Sequence, residues 1–141
     1  MELTDRLRGV HVVLIGGAGF MGHHMALKLA AYGAEVQVVD GLQVNNLLQF
    51  ASAPAATRNR DLYLRMIHQR LDLLRDADIL VSPTDARDYN LLCRTLSQRP
   101  SKVIVHLAAV AHAGTSNKDP LSTFDHSVRT LENALDCARS G

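Results

Sequence analysis

Three glycines spaced three residues apart, Gly16, Gly19 and Gly22, follow an apolar run at residues 10–15 and precede a helical pattern. A short β-branched run is typical of a strand buried on both faces of a parallel sheet. Gly16 would allow the tight turn after the strand, Gly19 would let the backbone approach a phosphate closely, and Gly22 would let the next helix pack near the strand. The free N–H groups and positive dipole end of that helix would point at the same phosphates. The stretch is therefore typical of a pyrophosphate site.

An acidic residue, Asp40, stands at the end of a second apolar strand at residues 36–39. An acid about 20 residues after the glycines is placed to accept hydrogen bonds from the hydroxyls of an adenosine ribose. Between the strands, a helical pattern starts at Met21 and ends before Gly33, a residue suited to a helix C-terminus. The simpler alternative is a strand–turn–helix corner without a ligand, but strand, glycines, helix, strand and acid in this order predict dinucleotide binding.

The glycine-rich stretch at residues 16–24, Gly-Gly-Ala-Gly-Phe-Met-Gly-His-His, carries a resemblance to a known family. It is similar to the Gly-Gly-Ala-Gly-Phe-Ile-Gly-Ser-His stretch of the NAD-dependent epimerase/dehydratase family, the extended short-chain dehydrogenases, although Ile15 replaces the usual Thr. Members mostly act on nucleotide sugars, so the resemblance implies NAD as the cofactor and a nucleotide sugar as the substrate. The cofactor-binding residues that we predict in this part of the chain are Gly16, Gly19, Phe20, Met21, Gly22, Asp40 and Gly41.

The segment at residues 84–88, Thr-Asp-Ala-Arg-Asp, resembles a Gly-Asp-(apolar)-x-Asp segment of the same family. In the family, the first Asp and the next residue contact the adenine, which implies the same role for Asp85 and Ala86. The alternative for Asp85 and Asp88 is that they cap the following helix, which we predict at residues 89–97, and Asp88 is the better cap candidate. Both interpretations can hold at once.

The end of a fourth apolar strand, residues 102–107, is followed by two alanines and looks like the family's His-x-Ala-Ala segment. There, small residues let the ribose and phosphates of the cofactor lie against the strand end, which implies that Leu107, Ala108 and Ala109 contact it. Ligands of open α/β sheets also bind at the carboxyl ends of the strands. We interpret His106 as a hydrogen-bonded structural histidine and not as an acid or base, because it lies on a buried strand.

The final helix is predicted at residues 121–139 and resembles a helix of the family. Ser127 stands where the family has an Asn that usually supports the catalytic centre. In the preceding loop, residues 110–119, the polar candidates to face nicotinamide and sugar are His112 and Ser116.

The family's chemistry needs a Tyr-x-x-x-Lys pair, in which the Lys lowers the Tyr pKa so that the phenolate can take a hydroxyl proton. None of the three tyrosines in the sequence has a lysine at that spacing. We therefore assign no catalytic residue and predict that these 141 residues alone do not convert a nucleotide sugar. No His-x-x-x-His pair is present, so we assign no metal ligands. A non-catalytic NAD(H)-binding module is the alternative function.

The elements that would position these residues follow the order β-α-β-(helical insert)-β-α-β-α. This order predicts an α/β fold, a Rossmann-type doubly wound parallel sheet of strand order 3-2-1-4. The chain suits a single domain, residues 1–141, which we interpret as the NAD-binding, N-terminal part of a longer enzyme, because the family adds further strands beside the fourth.

The insert at residues 42–77 makes the spacing from Asp40 to Asp85 longer than the resemblance leads us to expect. We predict a short helix at 41–52 and a strong helix at 60–76, the second capped by Thr57 or Asn59. The insert would cover the sheet edge, or would form a dimer face or a lid near the adenosine. The first role is favoured, because an apolar stripe at helical spacing usually belongs to a core.

Asp40 also predicts NAD over NADP. Its charge would repel the 2′-phosphate of NADP, and no Arg or Lys occurs at residues 41–57 to receive that phosphate.

Charge and composition limit the partners and the location. Basic and acidic residues are mixed and the net charge is +1, so we do not expect the chain to bind nucleic acid. No apolar run reaches the length of about 20 residues that a bilayer span needs, so we expect no membrane partner. Cys93 and Cys137 are isolated and are expected to be reduced thiols, which, without a signal-peptide pattern, predicts a cytoplasmic protein. A homodimer is compatible with the sequence.

Overall fold

The computed structural model describes residues 3–101 and 103–140. Within these ranges it has a parallel sheet of four strands in the order β3-β2-β1-β4, which confirms the predicted fold class and strand order. The strands are β1 (His11–Ile15), β2 (Glu35–Asp40), β3 (Leu80–Pro83) and β4 (Val103–His106). The helices are α1 (Leu3–Leu7), α2 (Phe20–Ala31), α3 (Leu47–Ser52), α4 (Arg60–Asp76), α5 (Tyr89–Ser97), α6 (Ala113–Lys118), α7 (Pro120–Phe124) and α8 (Thr130–Ser140).

Strand β1 lies inside the sheet and is buried along its whole length. Successive side chains of a strand point to opposite faces. On one face, Val12 and Leu14 belong to a cluster that includes side chains of α2 and α4, and on the other, Val13 and Ile15 belong to a cluster with α5 and α8. Helices therefore cover both faces, as a doubly wound sheet requires.

The predicted helices at residues 60–76 and 89–97 are confirmed with those bounds as α4 and α5. The Asp88 carboxylate caps α5 by accepting the N–H of Leu91 at 2.9 Å. The predicted side-chain cap of α4 is wrong. Asn59 begins α4 in the left-handed region (φ 60°) without a side-chain bond, and the Arg60 N–H donates to the backbone carbonyl of Thr57 instead.

The C-terminal part of the chain is more helical than predicted. The segment predicted as a loop at residues 110–119 contains α6, in which the Ser116 N–H and Oγ both donate to the His112 carbonyl. The predicted helix at 121–139 is confirmed as α7 and α8, but a π-helical turn, Asp125–Arg129, joins them. Of the strand predicted at 102–107, residue 102 lies outside the described residues, as do the domain ends 1, 2 and 141.

The expectation of two reduced thiols is wrong in the structure, because Cys93 of α5 and Cys137 of α8 form a disulfide. The two helices pack side by side on one face of the sheet, which brings the Cα atoms of the cysteines to 5.7 Å, within the usual range for a disulfide. The cysteines lie 44 residues apart in sequence, so no local spacing pattern could reveal the pair.

The insert packs against the sheet through α4. Its side chains Ile67 and Leu74 are buried, and α4 contacts α2, α3 and β3. The favoured role of the insert, covering the sheet, is therefore present in the structure. Across the part of the chain that the structure describes, no helix combines the length and the apolar character that crossing a membrane requires.

Candidate functional site

A cavity of about 610 Å³ opens at the carboxyl ends of the strands. These ends meet at one edge because Ile15, at the end of β1, is in register with Val39 of β2 and His106 of β4. The cavity lies at the point where the chain order of the sheet reverses, the usual ligand site of such sheets. All twelve residues predicted to bind the cofactor line it: Gly16, Gly19, Phe20, Met21, Gly22, Asp40, Gly41, Asp85, Ala86, Leu107, Ala108 and Ala109.

The three glycines of the turn differ in what surrounds them. Gly16 has φ 79°, and a Cβ there would lie 2.5 Å from the backbone N of Ala108, so neither the conformation nor the space admits a side chain. A Cβ on Gly22 would lie 2.5 Å from the Cα of Gly17, because α2 packs closely on the turn. On Gly19 a Cβ would meet nothing nearer than the Gly16 carbonyl oxygen at 3.4 Å. Of the three, Gly19 alone is open, and it faces the cavity.

The N-terminus of α2 adds hydrogen-bond donors to this open position. Gly19 is its N-cap residue, and no side chain of the described residues caps the helix. The first N–H groups of a helix have no partner inside it, and the dipole makes this end positive. The open Gly19 and these N–H groups together fit a pyrophosphate, which a Cβ at residue 19 would displace.

Asp40 joins the tip of β2 to the glycine-rich turn. Its two carboxylate oxygens accept the N–H of Ala18 at 2.9 Å and the N–H of Leu42 at 2.8 Å. Burial raises the pKa of Asp40, and these two bonds and the nearby charge of Arg70 oppose the rise. Each oxygen keeps a second lone pair, so the carboxylate can also accept hydroxyl groups of a ligand.

Asp85 lies beside Gly41, where a Cβ on the glycine would be 3.5 Å from the Asp85 Cα, and belongs to a network of polar side chains. It forms an ion pair with Arg87, with Nη2 and Oδ2 2.6 Å apart, and accepts the Gln43 amide at 3.2 Å. The hydrogen bonds from Arg87 are the main cause that lowers the pKa of Asp85 to about 2. Its neighbour Ala86 is held by Asn133 of α8, whose Nδ2 donates to the Ala86 carbonyl at 2.9 Å.

The insert also supplies one wall of the cavity, whereas covering the sheet edge was its favoured role. Phe50 of α3 and Tyr63 of α4 stack with ring centroids 4.8 Å apart, and Arg70 follows on the same side of α4. Arg70 Nη1 donates to the Ala18 carbonyl at 3.0 Å. Tyr63, Ile67 and Arg70 recur at helical spacing, so the sequence could predict that they share one face of α4. The sequence could not predict that this face lies next to Asp40.

The other wall comes from β4 and the C-terminal helices. His106 Nε2 lies 2.9 Å from Thr130 Oγ1, and burial lowers the pKa of His106, in agreement with a structural histidine. Ser127 Oγ accepts the Val110 N–H at 3.1 Å and so fixes the loop after β4. His126, on the π-helical turn, lines the cavity and was missed, because no motif marks it.

His112 and Ser116, which we predict to face nicotinamide and sugar, are not among the residues that line this cavity. Within the described residues, no group of three or more His, Cys, Asp or Glu side chains is arranged to hold a metal ion.

A four-stranded parallel sheet with a glycine-rich turn and a cavity at its reversal point defines a Rossmann-type domain. The model of the NAD dependent epimerase/dehydratase family matches residues 12–141, and the chain belongs to this family.

Similar proteins include a UDP-glucose 4-epimerase of Rhizobium meliloti (strain 1021), 29% identical over 84% of this chain, and UDP-glucose 4-epimerase 2 of Oryza sativa subsp. japonica, 30% identical over 91% of it. The chain spans only 28% of each of these two relatives. Among solved structures, UDP-glucose 4-epimerase of Thermus thermophilus in complex with NAD matches 93% of this chain, with 24% identity and a TM-score of 0.68, and the match covers 34% of that protein. At this identity the likeness shows the fold alone.

Proposed function

We propose that this chain is the NAD-binding domain of an NAD-dependent epimerase or dehydratase that acts on a nucleotide sugar, and that it is the N-terminal part of a longer enzyme. The observation that carries the proposal is the lining of the cavity. Gly19 leaves open space beside the N-terminus of α2, and Asp40, the last residue of β2, lies in the same lining. The family membership and the names of the relatives, which are UDP-sugar 4-epimerases, support the substrate class.

In this proposal, each part of the cavity binds one part of the cofactor. The N–H groups of α2 and the Gly19 backbone hold the pyrophosphate, and Asp40 accepts the hydroxyls of the adenosine ribose. Asp85 and Ala86 contact the adenine, and residues 107–109, which directly follow β4, support the ribose and phosphates of the cofactor. The bound cofactor would supply the hydride acceptor, and this chain's residues bind and orient it.

The chemical step would need groups from outside the 141 residues. No Tyr-x-x-x-Lys pair occurs in the sequence, so a later segment or another chain would provide the acid–base pair. The same observation favours the second candidate function, a non-catalytic NAD(H)-binding module.

Two measurements test the proposal. Calorimetric titration of the chain with NAD should show binding, and absence of binding would contradict both candidate functions. An assay with NAD and a panel of nucleotide sugars should show no product above background from this chain alone. Product formation would show that this chain converts a nucleotide sugar without a Tyr-x-x-x-Lys pair.

We also propose a homodimer, supported by the exposed apolar side chains of the C-terminal helices. Five large apolar residues of α7, the π-helical turn and α8 are exposed: Leu121, Phe124, Val128, Leu131 and Leu135. We propose no nucleic-acid or membrane partner. We also propose a cytoplasmic location. The Cys93–Cys137 disulfide is more usual in oxidising compartments, so the location needs a direct test by cell fractionation.

A further inference from the structure

Arg70 lies at the Asp40 end of the cavity and has only one edge of its guanidinium engaged. Its Nη1 donates to the carbonyl of Ala18, in the glycine-rich turn, at 3.0 Å. Among the described residues, no protein acceptor is hydrogen-bonded to its Nε or Nη2. The side chain is half-buried and lines the cavity, so it can offer further N–H donors to a ligand.

The charge of Arg70 is not neutralised by an ion pair within the described residues. Asp40 is close enough for attraction, but neither it nor any other carboxylate in the described part of the chain lies within 4.0 Å of the guanidinium. Both oxygens of Asp40 already accept backbone N–H groups, of Ala18 and Leu42. A cation therefore stands beside the acid that would hold the adenosine ribose.

Securing the glycine-rich turn does not depend on Arg70 alone. Asn46, which is buried, also donates to the Ala18 carbonyl, with Nδ2 and O 3.2 Å apart. The Ala18 N–H is held separately by Asp40. A neutral side chain at position 70 would leave these two anchors in place, so the positive charge is available for a different role.

We propose that Arg70 binds the 2′-phosphate of NADP(H), so that this domain accepts NADP(H) as well as NAD(H). The inference rests on the proposed function, since it assumes that the adenosine ribose lies at Asp40. A guanidinium offers paired N–H groups that match the oxygens of a phosphate. The charge of Arg70 would offset the repulsion between Asp40 and that phosphate.

This inference differs from the expectation of NAD over NADP, which relied on the lack of Arg or Lys at residues 41–57. Arg70 lies thirty residues beyond Asp40 in sequence, and only the fold of α4 brings it to the ribose end. The insert would then have a second role besides covering the sheet: it would determine which dinucleotides bind.

The test is calorimetric titration of the whole chain with NAD+ and NADP+ at one low, fixed salt concentration. The variants are Arg70→Met, which keeps an apolar stem without charge, Arg70→Lys, which keeps the charge, and Arg65→Met, the same change on an exposed position of α4. We expect the wild-type ratio of Kd for NADP+ to Kd for NAD+ to lie within about tenfold. Arg70→Met should raise this ratio about tenfold or more, because NADP+ binds more weakly while the affinity for NAD+ is retained. Arg70→Lys should raise the ratio less, and Arg65→Met should leave it unchanged.

Three results would overturn the inference. An unchanged ratio in Arg70→Met, or equal weakening of both cofactors, would assign Arg70 to holding the turn alone. A wild-type chain that binds NAD+ and fails to bind NADP+ would reject the inference and leave the proposed function intact. Binding of neither cofactor would reject both, so the two failures are distinguishable.

Discussion

The carboxylate of Asp40 and the backbone N–H of Ala18 form a hydrogen bond of 2.9 Å across 22 residues of sequence. It ties the tip of β2 to the glycine-rich turn, so the acid that would bind the ribose also shapes the turn that would bind the phosphates.

Replacing Asp40 by Ala should destabilise the fold as well as weaken NAD binding. The change leaves the N–H groups of Ala18 and Leu42 without acceptors, at a cost of about 1–3 kcal/mol. Urea unfolding would measure the loss, with Asp61→Ala as the control, because that side chain is 80% exposed. Equal free energies of unfolding for the two variants would contradict the anchoring role.

The ion pair between Asp85 and Arg87 should make stability depend on acid pH. The pKa of Asp85 is lowered from 3.8 to about 2 in the folded chain, so the pair stabilises the fold above about pH 4 and this contribution is lost as the pH falls towards 2. Asp85→Asn should reduce the free energy of unfolding by about 1 kcal/mol at pH 7, after allowance for solvent screening. Unfolding curves should show the wild-type advantage vanish near pH 2, and an advantage that is independent of pH would contradict the assignment.

Asn133 should matter for the segment that would contact adenine. It is buried and donates to the carbonyls of Ala86 and Arg87, so Asn133→Ala should cost about 1–3 kcal/mol of stability. Asn90→Ala, at an exposed position of α5, is the matched control and should cost less than about 0.5 kcal/mol. Similar losses in both variants would show that the Asn133 bonds are not needed to hold this segment.

Reduction of the Cys93–Cys137 disulfide should destabilise the chain by about 2–4 kcal/mol, because the bond closes a long loop between α5 and α8. Denaturant unfolding with and without a reducing agent measures this, and a Cys93→Ala/Cys137→Ala double variant should not respond to the reductant. If the purified chain has two titratable thiols in the folded state under air, the disulfide assignment is wrong.

The exposed apolar side chains of α7, the π-helical turn and α8 should mediate self-association if the homodimer proposal holds. Leu135, which is 62% exposed, can be replaced by Asp without disturbing the core. Sedimentation equilibrium should show a dimer for the wild type and a monomer for Leu135→Asp, with Leu62→Asp on α4 still dimeric. A wild-type monomer at all concentrations would reject this part of the proposal.

The sequence predicted best what local chemistry determines. The glycine-rich turn, the cap at Asp88 and the bounds of α4 and α5 follow from residue types within a few positions. It failed where two distant segments meet. Arg70 and Asn46 reach Ala18, and Cys93 reaches Cys137, only after the helices pack on the sheet.

The most direct test of the central claim is the affinity of Gly19→Val for NAD. The added side chain would enter the open space where the pyrophosphate is proposed to lie, while the nearest atom to its Cβ, apart from those of the two chain neighbours, is the Gly16 carbonyl oxygen at 3.4 Å. Calorimetry should therefore show loss of NAD binding by at least about a hundredfold, with an unchanged melting temperature and with Ala113→Val, an exposed change away from the cavity, binding as the wild type does. Unchanged NAD affinity in a folded Gly19→Val variant would contradict the account.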